Sequence, residues 1–146
     1  MRIREFLCAA GIFAVAGCGH AVEGIAVPAD DRGVLNDWRS PAGTWVGSYQ
    51  CAQGATGLTL TVQPQVMAEF EFYPLPENPA VPSGRFTMRW QVESGRIVFR
   101  QSSWIDRPGS YLMVDLVVER TESPTTLSGK VIADGCTTFS LTKDAT

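Results

Sequence analysis

The chain has 146 residues, with 12 Lys and Arg against 15 Asp and Glu, one histidine and four cysteines. That length suits one domain with a usable core, and a net charge of −3 is a poor footprint for nucleic acid, which needs a basic face. The single histidine is His20, in a stretch with no structural period, where nothing can hold it against another group. Histidine-dependent nucleophilic triads and most zinc centres are thereby excluded.

The first element is an export signal. Arg2 and Arg4 give a positive start, diluted by Glu5. Phe6 to Ala16 is apolar but too short for a bilayer-spanning helix, which takes about 20 residues. It closes on Val15-Ala16-Gly17-Cys18, which resembles the bacterial lipobox: a branched apolar residue and two small ones before the lipid-bearing cysteine. The resemblance implies a bacterial lipoprotein. Cys18 would take diacylglycerol and a further acyl chain such as palmitate, and residues 1–17 would be removed as the signal peptide. The rival reading is an ordinary secretory signal cut elsewhere, with Cys18 a spare thiol.

Cys8 would leave with the signal. No other apolar run is long enough to cross a membrane as a helix, so lipid on Cys18 is the expected attachment, on the cell membrane or the outer membrane, outside the cytoplasm. Two or three acyl chains hold far better than one, at about 0.8 kcal/mol per buried CH₂. Gly19 follows the cysteine and lacks the Asp that would argue for inner-membrane retention. Losing Arg2, Arg4 and Glu5 leaves 10 basic and 14 acidic residues, net −4, which argues against electrostatic docking on anionic lipid.

Residues 18–41 read as a lipidated tether, with a turn of helix near Val34 to Trp38. Trp38 packs on the domain or, less favoured, touches the membrane. Residues 42–146 read as the folded domain. Its period is near two, over Thr44–Cys51, Gly57–Gln63, Val66–Tyr73, Arg85–Val92, Arg96–Gln101, Ser110–Glu119, Thr125–Ile132 and Cys136–Lys143. Leu58, Leu60 and Val62 alternate with Thr59, Thr61 and Gln63. Ala68, Phe70 and Phe72 alternate with Glu69, Glu71 and Tyr73. Phe86, Met88, Trp90 and Val92 alternate with Arg85, Thr87, Arg89 and Gln91. Gln53-Gly54, Ser94-Gly95, Pro108-Gly109, Ser123-Pro124 and Asp134-Gly135 supply turn chemistry between them. The fold class is all-β: an antiparallel eight-stranded meander closing into a barrel, with a β-sandwich as the alternative.

Two cysteines remain in the domain, Cys51 ending the first strand and Cys136 opening the last. An even count in an oxidising compartment predicts a disulfide, which would pin the seam if those strands are neighbours. A reactive or metal-binding pair is the weaker alternative, since no CxxC is present and no histidine lies in the folded region.

One connection stands apart. Pro74 to Gly84 carries prolines at 74, 76, 79 and 82, which stiffen it and deny it sheet hydrogen bonds. It reads as a cover over one barrel mouth or as a recognition surface, the cover slightly favoured.

Candidate chemistry is sparse. Glu69 and Glu71 share a strand face and could do acid–base work, but outward-facing Arg85 and Arg89 on the next strand explain them as cross-strand charge pairs. Asp106-Arg107 reads as a turn carrying solvated charge. Asp115, sharing a face with Tyr111 and Met113, is either paired or functional. Trp45, Trp90 and Trp104 line the barrel interior or, by the better prior, form its core. No P-loop, GxGxxG, EF-hand loop or GxSxG is present. No metal and no cofactor is expected.

Two resemblances concern the domain. Gly43-Thr44-Trp45-Val46-Gly47 is similar to the Gly-x-Trp opening of lipocalin- and avidin-type barrels. Tyr49-Gln50-Cys51 with Gly54, then Ser83-Gly84-Arg85-Phe86, then Cys136, resemble the pattern of membrane-bound lysozyme inhibitors, which are lipoproteins with a small eight-stranded barrel. That family's motif carries one more residue before its aromatic, normally Tyr, and its basic partner has no counterpart here. The stretch from Gly43 to Leu141 also looks like uncharacterised β-domains of exported bacterial proteins.

The expectation is a membrane-anchored, non-enzymatic binding module for a protein or a small apolar ligand, with Pro79, Ser83, Arg85 and Trp104 as candidate contacts. A lysozyme inhibitor and an envelope structural protein without a ligand are the alternatives, and an enzyme working with carboxylates alone stands behind them.

Overall fold

The computed structural model describes residues 40–120 and 123–145. Residues 1–39, among them the expected signal segment, Cys18, His20 and Trp38, lie outside these residues. Eight strands follow one another: β1 Gly43–Cys51, β2 Gly54–Val62, β3 Met67–Tyr73, β4 Gly84–Glu93, β5 Arg96–Asp106, β6 Asp115–Arg120, β7 Thr126–Ile132 and β8 Thr138–Lys143. Each is antiparallel to the next, and β8 pairs with β1, so the sheet closes into a barrel. Closure removes the exposed edges that a sandwich would leave.

The alternation places side chains as their polarity demands. Leu58, Leu60, Val62, Ala68, Phe70, Phe72, Phe86 and Met88 are buried inside, while Thr59, Thr61, Glu69, Glu71 and Arg85 face out. Rings fill the axis. Phe70 stacks on Phe86 at 4.5 Å, and Tyr49 meets Phe70 edge-on at 5.2 Å. Phe72 stacks on Tyr111 at 5.7 Å, and Trp104 meets Phe86 edge-on at 5.3 Å. Each fully buried ring contributes about 1.5–3 kcal/mol. At the seam Gly47 is needed for close approach, since a Cβ there would lie 2.1 Å from the Ser140 carbonyl oxygen.

The largest departures from the expected strand bounds are at β2, β5 and β6. β2 begins at Gly54 because a tight turn at Ala52-Gln53, closed by Gly54 at φ 96°, pairs Cys51 with it at once. β5 runs on to Asp106, with register shifts opposite Arg85/Phe86 and Thr87/Met88 that bend it around the barrel. β6 begins at Asp115 instead of Ser110. The Asp115 carboxylate accepts the Gln101 backbone N–H at 2.8 Å, and the β5–β6 ladder is confined to Val98↔Val117 and Phe99↔Leu116.

The meander gives the barrel two unlike ends. At the proximal end the chain comes in at Gly43, beside the turns at 63–66 and 94–95. There Trp45 is buried and donates its indole N–H to the Pro41 carbonyl at 2.8 Å, with the Lys143 ammonium 5.3 Å from its ring centre. Trp90 donates its indole N–H to Gln65 O at 2.9 Å and Gln63 O at 3.3 Å. The distal mouth carries the turn at 52–53, the Pro loop, the 107–114 connection and the turn at 133–137.

Candidate binding site at the distal mouth

The distal mouth is built around the seam. Thr137 N–H donates to Gln50 O at 2.9 Å, and one residue further out Cys51 and Cys136 form a disulfide. The bridge spans 85 residues of sequence. By the chain-entropy model a loop of that length is worth about 4–5 kcal/mol before any native strain.

The Pro loop is fastened to the first hairpin. Asn78 closes a turn on Leu75, its N–H donating to Leu75 O at 2.8 Å. Its side-chain amide donates to Gln53 O at 2.7 Å and Ala55 O at 2.9 Å, and Val81 is buried. Prolines set the path of this segment, and Asn78 satisfies two carbonyls that a sheet partner would otherwise take.

Beneath lies a small polar cluster. Gln53 Nε2 donates to Thr56 Oγ1 at 3.1 Å and reaches the Tyr49 hydroxyl at 3.5 Å. Burial, with Tyr111 adding to it, pushes the Tyr49 phenol well above its ordinary 10.0, against the opposing hydrogen bonds of Gln53 and Thr56. Tyr49 is therefore a neutral phenol at any physiological pH.

Beside this cluster opens a cleft of about 580 Å³. Its lining includes Tyr49, the disulfide, Met113 and Ala133, and Asp134 is the charged residue among those lining it. Its rim carries Leu112, 76% exposed, and Ile132, 46% exposed. Such side chains are costly to leave in water, and both border the same concavity.

The residues singled out from the sequence sit elsewhere. Pro79 and Ser83 are exposed on the Pro loop. Arg85 faces outward, donating from Nε and Nη2 to Asp106 Oδ2 at 3.1 Å each, and from Nη1 to Glu69 at 3.4 Å. Trp104 packs inward on Phe72 and Phe86, with the Arg107 guanidinium 5.7 Å from its ring. None of the four lines the cleft. Gly84 is a packing requirement, since a Cβ there would meet Phe72 Cζ at 2.5 Å and Pro108 Cδ at 2.7 Å.

Glu69, Glu93, Asp106, Asp115 and Glu119 are engaged by basic side chains. Asp106 belongs to β5 and pairs across to Arg85, instead of sitting in a turn. Asp115, 17% exposed at its side chain, pairs with Arg100 at 3.2 Å. Glu93 takes Arg100 Nη2 at 2.7 Å, and the hydrogen bonds from Arg100 and then Gln91 hold its carboxyl below the usual range. Arg89 departs from the expected pairing: its Nη1 lies 3.7 Å from Met67 Sδ. Exposed pairs of this kind contribute about 0–1 kcal/mol each and serve register more than stability.

Leu112, Met113 and Ile132 were missed as site residues. For Ile132 a signal existed: it follows the inward Val131 and takes the outward parity next to a turn. Leu112 gave none, since it keeps the apolar phase of Val114 and Leu116. Comparison with protein-family models, curated proteins and solved structures finds no match to the chain.

Proposed function

We propose that this chain is an exported lipoprotein, anchored through Cys18, whose barrel is a non-enzymatic module that meets a protein partner at its distal mouth. The observation that carries this reading is the open cleft rimmed by Leu112 and Ile132 on a barrel whose axis is occupied by its own rings. The rings of Tyr49, Phe70 and Phe86 occupy that axis, whereas an open apolar concavity suits another protein's side chains. The engagement of Glu69, Glu93, Asp106 and Asp115 by Arg85 and Arg100 weighs against carboxylate catalysis.

A photo-reactive residue placed at Leu112 or Ile132 of the full chain, in intact cells, tests the mouth. The expected result is one protein adduct of the same mass from both positions, lost when the other carries Asp. Absence of any protein adduct at both positions overturns the reading. The anchor is tested by palmitate labelling, which Cys18→Ala should abolish.

Inhibition of a lysozyme is the second reading, favoured by Ser83 standing exposed beside the Pro loop. Unchanged lysozyme activity at micromolar protein removes it.

A further inference from the structure

We propose that the proximal end of the barrel is a bilayer-facing surface, on which Trp90, Val92 and Val66 form an apolar rim resting on the lipid to which the chain is anchored. The inference rests on the Cys18 anchor, and adds to it a specific face of the folded domain.

The rim arises from strand lengths. Phe86, Met88, Trp90 and Val92 share the core-facing side of β4, but the β4–β5 hairpin outruns its neighbours. β3 begins at Met67, opposite Arg89, so the last residues of β4 have no β3 partner. Val92 therefore keeps the inward phase of its β5 partner Ile97 but lies past the end of β3, and is 58% exposed where Ile97 is buried. Val66, just ahead of β3, is 43% exposed. Trp90 joins the two: its backbone N–H donates to Val66 O at 2.8 Å, and its indole N–H is taken by the carbonyls of Gln63 and Gln65. With its polar handle satisfied by backbone, the half-buried ring presents an apolar edge, the arrangement that suits tryptophan to a membrane interface. Arg89 and Arg96 are exposed on the same hairpin, Arg96 lying 3.9 Å from the Glu119 carboxylate. The attraction is apolar in the main, which accords with the acidic balance of the chain.

The chain itself names the occupant. It enters the barrel at this same end, and residues 19–39 separate Cys18 from the first described residue. Fully extended, they reach at most about 70–76 Å. Within that radius the domain meets the bilayer intramolecularly, so a rim of three side chains, too weak to recruit a free protein, is enough to bias its orientation.

The test uses the full lipidated chain in cells, with a photo-reactive residue at Val92, at Val66, or at Leu112 as the distal control. Phospholipid adducts are read by mass, and anchoring is read separately by membrane fractionation. Adducts several-fold stronger at Val92 and Val66 than at Leu112 are expected. Val92→Asp should cut the adduct at Val66 several-fold while leaving the membrane fraction unchanged. An anchored chain with equal lipid adducts at all three positions overturns the proposal. So does a protein adduct at Val92, whether at twice the chain's mass or with a partner. A chain with Cys18 intact that fractionates as soluble overturns the anchor and the docking face together.

Discussion

The two ends of this barrel are closed by different means. At the proximal end the turns are short, and tryptophans finish the job: Trp45 and Trp90 donate their indole N–H groups to backbone carbonyls of the segments around them. At the distal mouth two of the connections are long, the Pro loop and 107–114, and the mouth is stapled by a disulfide at the seam and by Asn78 reaching across 25 residues to Gln53. A short turn can be sealed by a side chain already in the strand. A long connection costs more conformational entropy and must be held by a crosslink or a clamp. The stapled end is also the end that leaves an apolar cleft open.

The largest expected effect comes from cutting the staple. Replacing Cys51 and Cys136 by Ser should lower unfolding free energy by about 2–5 kcal/mol, read by urea denaturation with and without reductant. Equal stability would mean that the distal connections hold themselves. Next, Asn78→Ala removes the donor to two carbonyls and should cost about 1–3 kcal/mol. It should also raise amide exchange at Gln53 and Ala55 while leaving the proximal turn at 63–66 unchanged, and exchange rising at both ends would erase the contrast. A third test uses pH. The Tyr49 phenol is raised in the folded state, so its share of stability is complete below the ordinary phenol value of 10.0 and is lost as pH climbs above it, where the unfolded chain ionises first. The wild-type unfolding midpoint should therefore fall more steeply in alkali than that of Tyr49→Phe. The smallest effect on stability is expected for Leu112→Asp, within about 0.5 kcal/mol, because the side chain is mostly in water already. A large loss there would show that the cleft rim is part of the core.

Most of the architecture was legible because alternation is a strong signal when one face is buried. Leu58-Thr59-Leu60-Thr61-Val62 admits one assignment of faces, and the structure has it. The disulfide was legible for a different reason, since an even pair of cysteines in the domain predicts a bridge, and their places on the first and last strands in turn favour closure. What the pattern could not convey is where a ladder stops. Val92 keeps the apolar phase of its strand and Leu112 that of the strand it precedes, and each lacks a neighbour on one side: β4 outruns β3, and the β5–β6 ladder does not begin until the chain reaches Leu116. Periodicity records which way a side chain points, and burial depends also on whether another strand is there to meet it. The two ends of the barrel, and with them the candidate surfaces, sit where those two conditions part. Of the four residues chosen from motif likeness and loop stiffness, Arg85 pairs across the strand with Asp106, and Trp104 packs on the core.

The seam has a mechanical consequence. Any pull transmitted along the chain upstream of Gly43 enters β1 at its proximal end and runs along the strand axis. β1 is held by nine register pairs with β2 and five with β8, so such a load shears all these rungs together instead of unzipping them one at a time. The disulfide ties the far end of the same strand to Cys136. A load applied upstream of Gly43 and resisted at the opposite mouth would thus run the length of β1, ending in a covalent stop.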